Sequence, residues 1–367
     1  MRASRLNRLR ARMAGCGIGQ LIVAGRANLF YLTGEDVNPH DRLNAAVIRQ
    51  DSAQLLCYHL SQLHPEGFDV AVYTDSGKAG ARLAALLEGG LLTGVDAALS
   101  SRWLLALQEA RPETRFVWSD CPEQTRCVKD EEEIRRLRRA SELTDRVFAA
   151  SFPRLREGMT ELDFGDVLSA AFQAEGAGFF PGHPMVAFGA GTADPHHIPG
   201  GTRLRAGDAV MVDTGMQVDG YYSDMTRTVF FGGVSPEQRS VYETVLKANE
   251  AALAAVRPGV PLRAAHEAAC RVIAEAGYGA FYPHRTSHGI GIDYHEEPFD
   301  TPSRTVTLEE GMCCSVEPGI YLPGRFGVRI EDLVTVVPEG YSLLNHAPKS
   351  LQVVHPEQGE ALGGAES

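Results

Sequence analysis

Short apolar runs set between helical patterns organise the first 125 residues. Segments 21–25 (LIVAG), 45–49 (AAVIR), 54–58 (QLLCY) and 69–73 (DVAVY) have strand length and polar flanks, and 79–87 carries apolar residues at helical spacing. The pattern predicts an α/β domain whose polar residues form no catalytic cluster. The polar, turn-prone stretch CPEQTRCVKDEEE marks a boundary near residue 125. Beyond it the spacing predicts a helix that Asp130 can cap. Glu131, Glu132 and Glu133 set negative charge against its dipole, with Glu131–Arg135 and Glu132–Arg136 at i, i+4. Ile134, Leu137, Val147 and Phe148 supply its buried face. A second helix opens at Ser235-Pro236-Glu237-Gln238, a capping box with proline at the first helical position, and ends before Pro258-Gly259.

One pattern recurs. Residues 155–178 resemble 256–279, with Arg156, Gly158, Gly176 and Gly178 returning as Arg257, Gly259, Gly277 and Gly279 at a constant offset. Each copy reads as a turn, a helix and a glycine-rich exit into a strand. Coincidence in Ala/Gly-rich helices is the bland explanation. The alternative is a duplicated α/β half, with a cleft between the copies where a ligand can bind.

Composition narrows the class. A chain of 367 residues suits two domains, here 1–125 and 126–355, with 356–367 as a tail. Its 44% apolar and 22% charged residues are ordinary for a soluble globular protein, and a formal charge of −12 argues against nucleic acid and anionic membranes as partners. The basic start lacks the long apolar stretch of a signal peptide or membrane span. Seven cysteines without a C-x-x-C pair read as free thiols in a reducing cytosol, so a cytoplasmic protein is expected.

Carboxylates inside apolar runs carry the candidate chemistry. Residues 208–232 read as two strands joined by a turn around Val218-Asp219-Gly220, with Asp213 ending the first run and Asp224 in the second. Carboxylates facing one another would repel unless a metal neutralised them. Taken alone, Asp213 reads equally well as a turn residue beside Gly215. Asp213-Thr214-Gly215 also spells the aspartic-protease tripeptide, but that chemistry needs two such aspartates sharing a proton, and no second Asp-Thr-Gly occurs in the chain. In 284–299, His284, His288 and His295 lie beside glycines; neutral imidazole ligates metals and protonated imidazole stabilises oxyanions. Phe299 stands where an H-E-x-x-H motif would need its second histidine. Glu317 closes the run MCCSV, and Glu331 interrupts VRIEDLVTVV, with Arg329 expected on the same strand face. A surface Arg329–Glu331 pair would explain that last segment alone. Together Asp213, Asp224, His288, Glu317 and Glu331 offer four carboxylates and one imidazole. That set suits two hard or borderline divalent ions such as Mn²⁺, with Co²⁺ or Zn²⁺ as alternatives, and metal-assisted hydrolysis.

The segments VDTG, YSDMTRT, TSHGIG, VEPGIY and VRIED jointly resemble the pita-bread metallopeptidases of family M24, in the branch holding prolidase and aminopeptidase P. ANLFYLTG (27–34) is similar to that branch's N-terminal domain, VKDEEEIRRLRRA to its interdomain helix, and DPHHIP (194–199) fits the proline-specific branch. The resemblance implies a creatinase/prolidase-like α/β domain followed by a pita-bread domain of pseudo-twofold duplicated halves, an α/β (α+β) fold. It implies that Asp213 holds one metal, His288 and Glu317 the other, and that Asp224 and Glu331 bridge them. Glu317 would shuttle a proton, His196 would bind substrate, and His295 would stabilise the tetrahedral intermediate. His284 would line a proline pocket, with Arg329 and Tyr321 near the substrate. The implied reaction is hydrolysis of the bond preceding proline, in an Xaa-Pro dipeptide or, in aminopeptidase P, in longer peptides. A homodimer, with the N-terminal domain contributing to its contact, is the family expectation. A metal-free creatinase-type enzyme and a non-catalytic pita-bread binding protein are the competing classes, and both fit poorly with a full ligand set.

Overall fold

The strand-forming runs of the first unit join into one six-stranded sheet. Its strands are β1 (Gln20–Val23), β2 (Ala45–Arg49), β3 (Ala53–Tyr58), β4 (Asp69–Tyr73), β5 (Thr93–Val95) and β6 (Phe116–Trp118), in the order β4-β3-β2-β1-β5-β6. β1, β2 and β3 pair antiparallel, while β4, β5 and β6 join in parallel. Every residue of β1 and β2 is buried, the signature of a central strand covered on both faces. The helices are α1 (Arg2–Gly15), α2 (Arg26–Thr33), α3 (Ala79–Ala85), α4 (Ser101–Ala110) and α5 (Cys121–Cys127). Leu83 and Ala84 of α3 and Leu107 of α4 share a core with Ile22, Val47 and Leu56 of the sheet.

This computed structural model describes residues 2–36, 42–75, 77–176, 184–300 and 304–355, so the tail expected at 356–367 lies outside the described residues. The chain divides into two units, Met1–Cys127 and Val128–Ser367. No helix among the described residues is long and apolar enough to cross a membrane.

The second unit opens with α6 (Glu131–Ser151), where Asp130 and Glu133 form a reciprocal capping box. Leu137, Val147 and Phe148 are buried, whereas Ile134 is only half-buried, and Arg135 turns to Glu132 instead of Glu131. Then follow α7 (Glu161–Ala174), β7 (Met185–Phe188), β8 (Ala209–Thr214), β9 (Gln217–Val218), β10 (Tyr221–Tyr222) and β11 (Met225–Phe231). The remaining elements are α8 (Pro236–Ala255), α9 (Arg263–Glu275), β12 (Cys313–Val316), β13 (Gly319–Leu322), β14 (Phe326–Arg329), β15 (Asp332–Val337), β16 (Gly340–Leu343) and β17 (Val353–Val354). Ser235 and Gln238 close the capping box of α8. Asp219 and Gly220 both adopt positive φ (50° and 82°), which lets β9 and β10 form a tight hairpin between β8 and β11.

The repeated glycines mark a repeated backbone. Gly158 and Gly259 take φ of 81° and 79°, and Gly176 and Gly277 take 77° and 86°. Gly158 N donates to Leu204 O as Gly259 N does to Leu308 O, and the bridge Thr160–Arg203 recurs as Pro261–Thr307. The likeness then extends beyond the helices. Gly207 N donates to Phe231 O and Gly311 N to Val336 O, each at the start of a strand ending in an acid. β8 pairs antiparallel with β11 and with β7, and β12 pairs antiparallel with β15. Two halves of one design therefore build the second unit, and their acidic strand ends form the site.

Candidate metal centre

Each candidate side chain is aimed by main-chain pairing. Asp213 is opposite Thr226 in the β8–β11 ladder, and Asp224 immediately precedes β11. Ser315 N donates to His288 O and Ser315 Oγ accepts from His288 N, tying the histidine to β12. Glu317 follows β12, and its N–H donates to Thr286 O. Glu331 departs from the continuous strand that its apolar neighbours suggested. Ile330 and Glu331 separate β14 from β15, and Glu331 N donates to Thr226 O in the other half.

The five residues come together. Ligand atoms of Asp213, Asp224 and Glu331 lie within 4.8 Å of one another, and so do those of His288, Glu317 and Glu331. Asp224, His288 and His295 make a third such group. His288 Nδ1 is 2.9 Å from Gly289 O and donates to it, which leaves Nε2 facing the acids, 3.4 Å from Asp224 and 3.6 Å from Glu317. Tyr294 donates its hydroxyl to Asp224, and Thr226 Oγ1 donates to Glu331 Oε2 at 2.7 Å.

The electrostatics describe a site short of positive charge. Burial, then the neighbouring Asp213, raises Asp224 despite help from His288 and Tyr294. Burial and the charges of Asp224, Glu317 and Asp213 push Glu331 well above the carboxylate range. Burial lifts Glu317 to about 7, with His288 and Arg329 pulling against it. His288 reaches about 9 because Asp224 and Glu317 outweigh the burial that would lower it. Glu331 Oε1 is buried and meets no hydrogen-bond donor among the described residues. Crowded buried carboxylates, one with an orphaned oxygen, beside an imidazole nitrogen that a cation can take over from its proton form a donor set that fits divalent cations.

A cleft of about 730 Å³ opens on this cluster, lined among others by Met185, His196, His284, Arg285, His295 and Phe299. His196 is exposed on it, while His197 lies 2.9 Å from the buried Glu161, whose carboxylate accepts from Phe188 N and Gly200 N. His295 packs edge-on against His288 with ring centroids 4.2 Å apart, and burial next to that histidine lowers it to about 4. Arg329 is not part of a surface pair with Glu331. It is buried, ion-paired to Asp213, and donates to Tyr321 OH at 2.7 Å. Tyr321 OH accepts from Arg329 and so donates to His284 Nε2, also at 2.7 Å, leaving His284 Nδ1–H for Arg285 O. Burial holds His284 neutral, down to about 4. Sequence reasoning passed over Tyr294, Thr226 and Glu161. Thr226 gave no local signal, because its strand, MTRTVFF, also carries Arg227 and Thr228.

Residues 135–338 match metallopeptidase family M24, and residues 5–128 match the Creatinase/Prolidase N-terminal domain. The chain belongs to metallopeptidase family M24, with the creatinase-like domain ahead of the pita-bread domain, and membership of that family implies the use of divalent metal. An uncharacterized peptidase of Staphylococcus aureus strain USA300 is 33% identical over 333 residues, covering 88% of this chain and 93% of its own. The solved Xaa-Pro dipeptidase from Bacillus anthracis is similar with a TM-score of 0.89 at 27% identity, over 96% of this chain and 100% of that one. The X-Pro aminopeptidase from Thermotoga maritima MSB8 has a TM-score of 0.82 at 29% identity, over 94% of this chain and 100% of its own.

Proposed function

We propose that this protein is an Xaa-Pro dipeptidase that works with two divalent ions, Mn²⁺ foremost and Co²⁺ or Zn²⁺ as alternatives. The observation that carries the reading is the pair of ligand clusters sharing Glu331, one all oxygen and one with an imidazole. Asp213 would hold one ion, His288 and Glu317 the other, and Asp224 and Glu331 would bridge them. When bound, the ions supply Lewis-acid polarisation of the scissile carbonyl and a nucleophile at neutral pH. The chain's own groups do the rest. Glu317, beside His288 on the cleft, would move a proton to the leaving nitrogen. His295 stands beside His288 at the mouth, placed to stabilise charge on the carbonyl oxygen. His284, with both nitrogens engaged, is a fixed wall for the proline ring, and Tyr321 with Arg329 fixes that wall. His196 offers a free edge for the substrate. The bond before proline has no N–H to recognise, so shape and metal contacts select it. The net charge of −12 leaves nucleic acid and anionic membranes as poor partners, and seven cysteines without a C-x-x-C pair suit the cytoplasm. A homodimer follows from the family alone.

Aminopeptidase P is the second reading, favoured by the likeness to the Thermotoga enzyme. Comparing Xaa-Pro dipeptides with Xaa-Pro-Yaa tripeptides under Mn²⁺ tests the choice. Dipeptides should be hydrolysed and tripeptides spared, with chelation abolishing turnover and Mn²⁺ restoring it. Rapid tripeptide cleavage with inert dipeptides would refute the dipeptidase assignment.

A further inference from the structure

A buried polar relay that lines no part of the cleft lies behind the two glutamates. Its first member, Asn249, is fully buried in the interior of α8. Asparagine is a poor mid-helix residue, because its amide competes with the backbone, so a buried one there needs a partner. Lys349 Nζ stands 2.8 Å from Asn249 Oδ1 and can only donate, which fixes the orientation of the amide. The N–H groups then face two carbonyls, Val316 O at 3.1 Å and Ile330 O at 3.4 Å. Those are the residues immediately before Glu317 and Glu331.

The relay continues around the far side of Glu331. Lys349 also donates to Asp332 Oδ2 at 2.7 Å, and Asp332 Oδ1 accepts from Arg227 at 2.7 Å. Arg227 in turn donates to the carbonyl of Glu331 itself and to Thr226 O. All four side chains except Lys349 are almost wholly buried, and Lys349 is only partly exposed. In such surroundings each hydrogen bond holds its backbone partner firmly, since breaking it strands a buried group. The main chain is thus gripped before Glu317 and on both sides of Glu331.

We propose that Asn249, oriented by Lys349, is a positioning residue that sets the spacing between Glu317 and Glu331. The inference rests on the metal-dependent reading above. Asn249→Asp keeps the shape and removes the N–H donors, turning an oxygen toward both carbonyls. Mn²⁺ is titrated calorimetrically into metal-stripped protein, alongside the stripped protein's Tm and the split of kcat from KM. Asn249→Asp should weaken Mn²⁺ binding by about tenfold or more, lowering kcat at a nearly constant KM. Val245→Ala, a cavity in the buried apolar face of the same helix, should lower Tm and leave the affinity alone. An Asn249→Asp protein with lowered Tm and wild-type affinity would overturn the proposal. Should that variant not fold, Lys349→Met decides. It should weaken binding roughly threefold, and an unchanged affinity would again overturn the proposal. Failure of stripped wild-type protein to bind Mn²⁺, Co²⁺ or Zn²⁺ is a separate result that removes the metal reading and this inference with it.

Discussion

The two halves of the second unit share a backbone and differ in the side chains it carries. GDAVMVDTG (207–215) and GMCCSVEPG (311–319) both begin with a left-handed glycine (φ 89° and 86°), run as a strand, and end in an acid two residues before another glycine. In the first ladder the step after Val212–Arg227 is Asp213 with Thr226; the corresponding step after Val316–Asp332 brings Glu317 and Glu331. The strand partner of Met211 is Ala187, while Ser315 is tied to His288. The first half therefore offers short carboxylates alone, and the second offers longer ones with an imidazole. Duplication makes the acids converge, and divergence makes the two places they form chemically unlike.

The glycines after the acids give the sharpest way to break that comparison. A Cβ on Gly215 would fall 1.7 Å from the backbone oxygen of Ser223, so the strand leading to Asp224 would have to move. At Gly319 the obstacle is the Tyr321 side chain, with its hydroxyl 2.5 Å away. Gly215→Ala should cost about 4 kcal/mol or more, or prevent folding. Gly319→Ala should fold, because a ring can swing. It should still lose about a hundredfold in kcat/KM, since the swing pulls Tyr321 from Arg329 and His284. Denaturant unfolding and kinetics on both proteins measure the contrast. Equal losses of stability would show the two turns to be interchangeable.

The histidine present in only one half gives a pH signature. In metal-free protein His288 is raised from 6.5 to about 9, burial being outweighed by Asp224 and Glu317. The folded state then binds the proton more tightly than the unfolded state, so stability is full below about pH 6.5 and is lost as pH rises through about 9. His284 and His295, both lowered to about 4, are neutral in the folded state across that window, and Glu317, raised to about 7, adds a loss of the same sign at its lower end. Stripped protein should lose roughly 5 °C of Tm over this range. Metal-loaded protein should lack the slope, because a bound cation takes the proton's place, and His288→Asn should remove its upper part, above about pH 8, from the stripped form. An upper part that survives His288→Asn would assign that proton elsewhere.

Much of this site was legible because its charges interrupt apolar runs. Asp213, Asp224, Glu317 and Glu331 stood out as acids where strands call for apolar residues, and the capped helices and repeated glycines announced themselves by local chemistry. What stayed hidden is what distant residues decide. The run around Glu331 has strand periodicity, yet its N–H turns to Thr226 O, 105 positions away, and the strand breaks there. Arg329 was paired by proximity with Glu331, whereas its partner is Asp213 across the duplication. The facing of Asp213 with Thr226, instead of Asp224, depends on the β9–β10 hairpin that takes up the chain between their strands.

Thr226 tests the comparison at its finest. It takes in the first ladder the place that Glu331 takes in the second, and the two meet: Thr226 Oγ1 donates to Glu331 Oε2 at 2.7 Å and accepts from Arg329 Nε at 3.0 Å. The hydroxyl thus links an acid of one half to the arginine that holds Asp213 of the other. Thr226→Val keeps the β-branched shape that its buried strand requires and leaves both partners short of one hydrogen bond. Each lost bond costs about 1 kcal/mol, so kcat should fall by about tenfold with little change in the fold. Thr226→Ser restores the hydroxyl in a slightly looser pocket and should recover most of the loss. Steady-state kinetics on the two variants decide the matter. If valine were as active as threonine, the halves would meet at this point by packing alone, and Glu331 would owe its placement to its main chain and to Arg227.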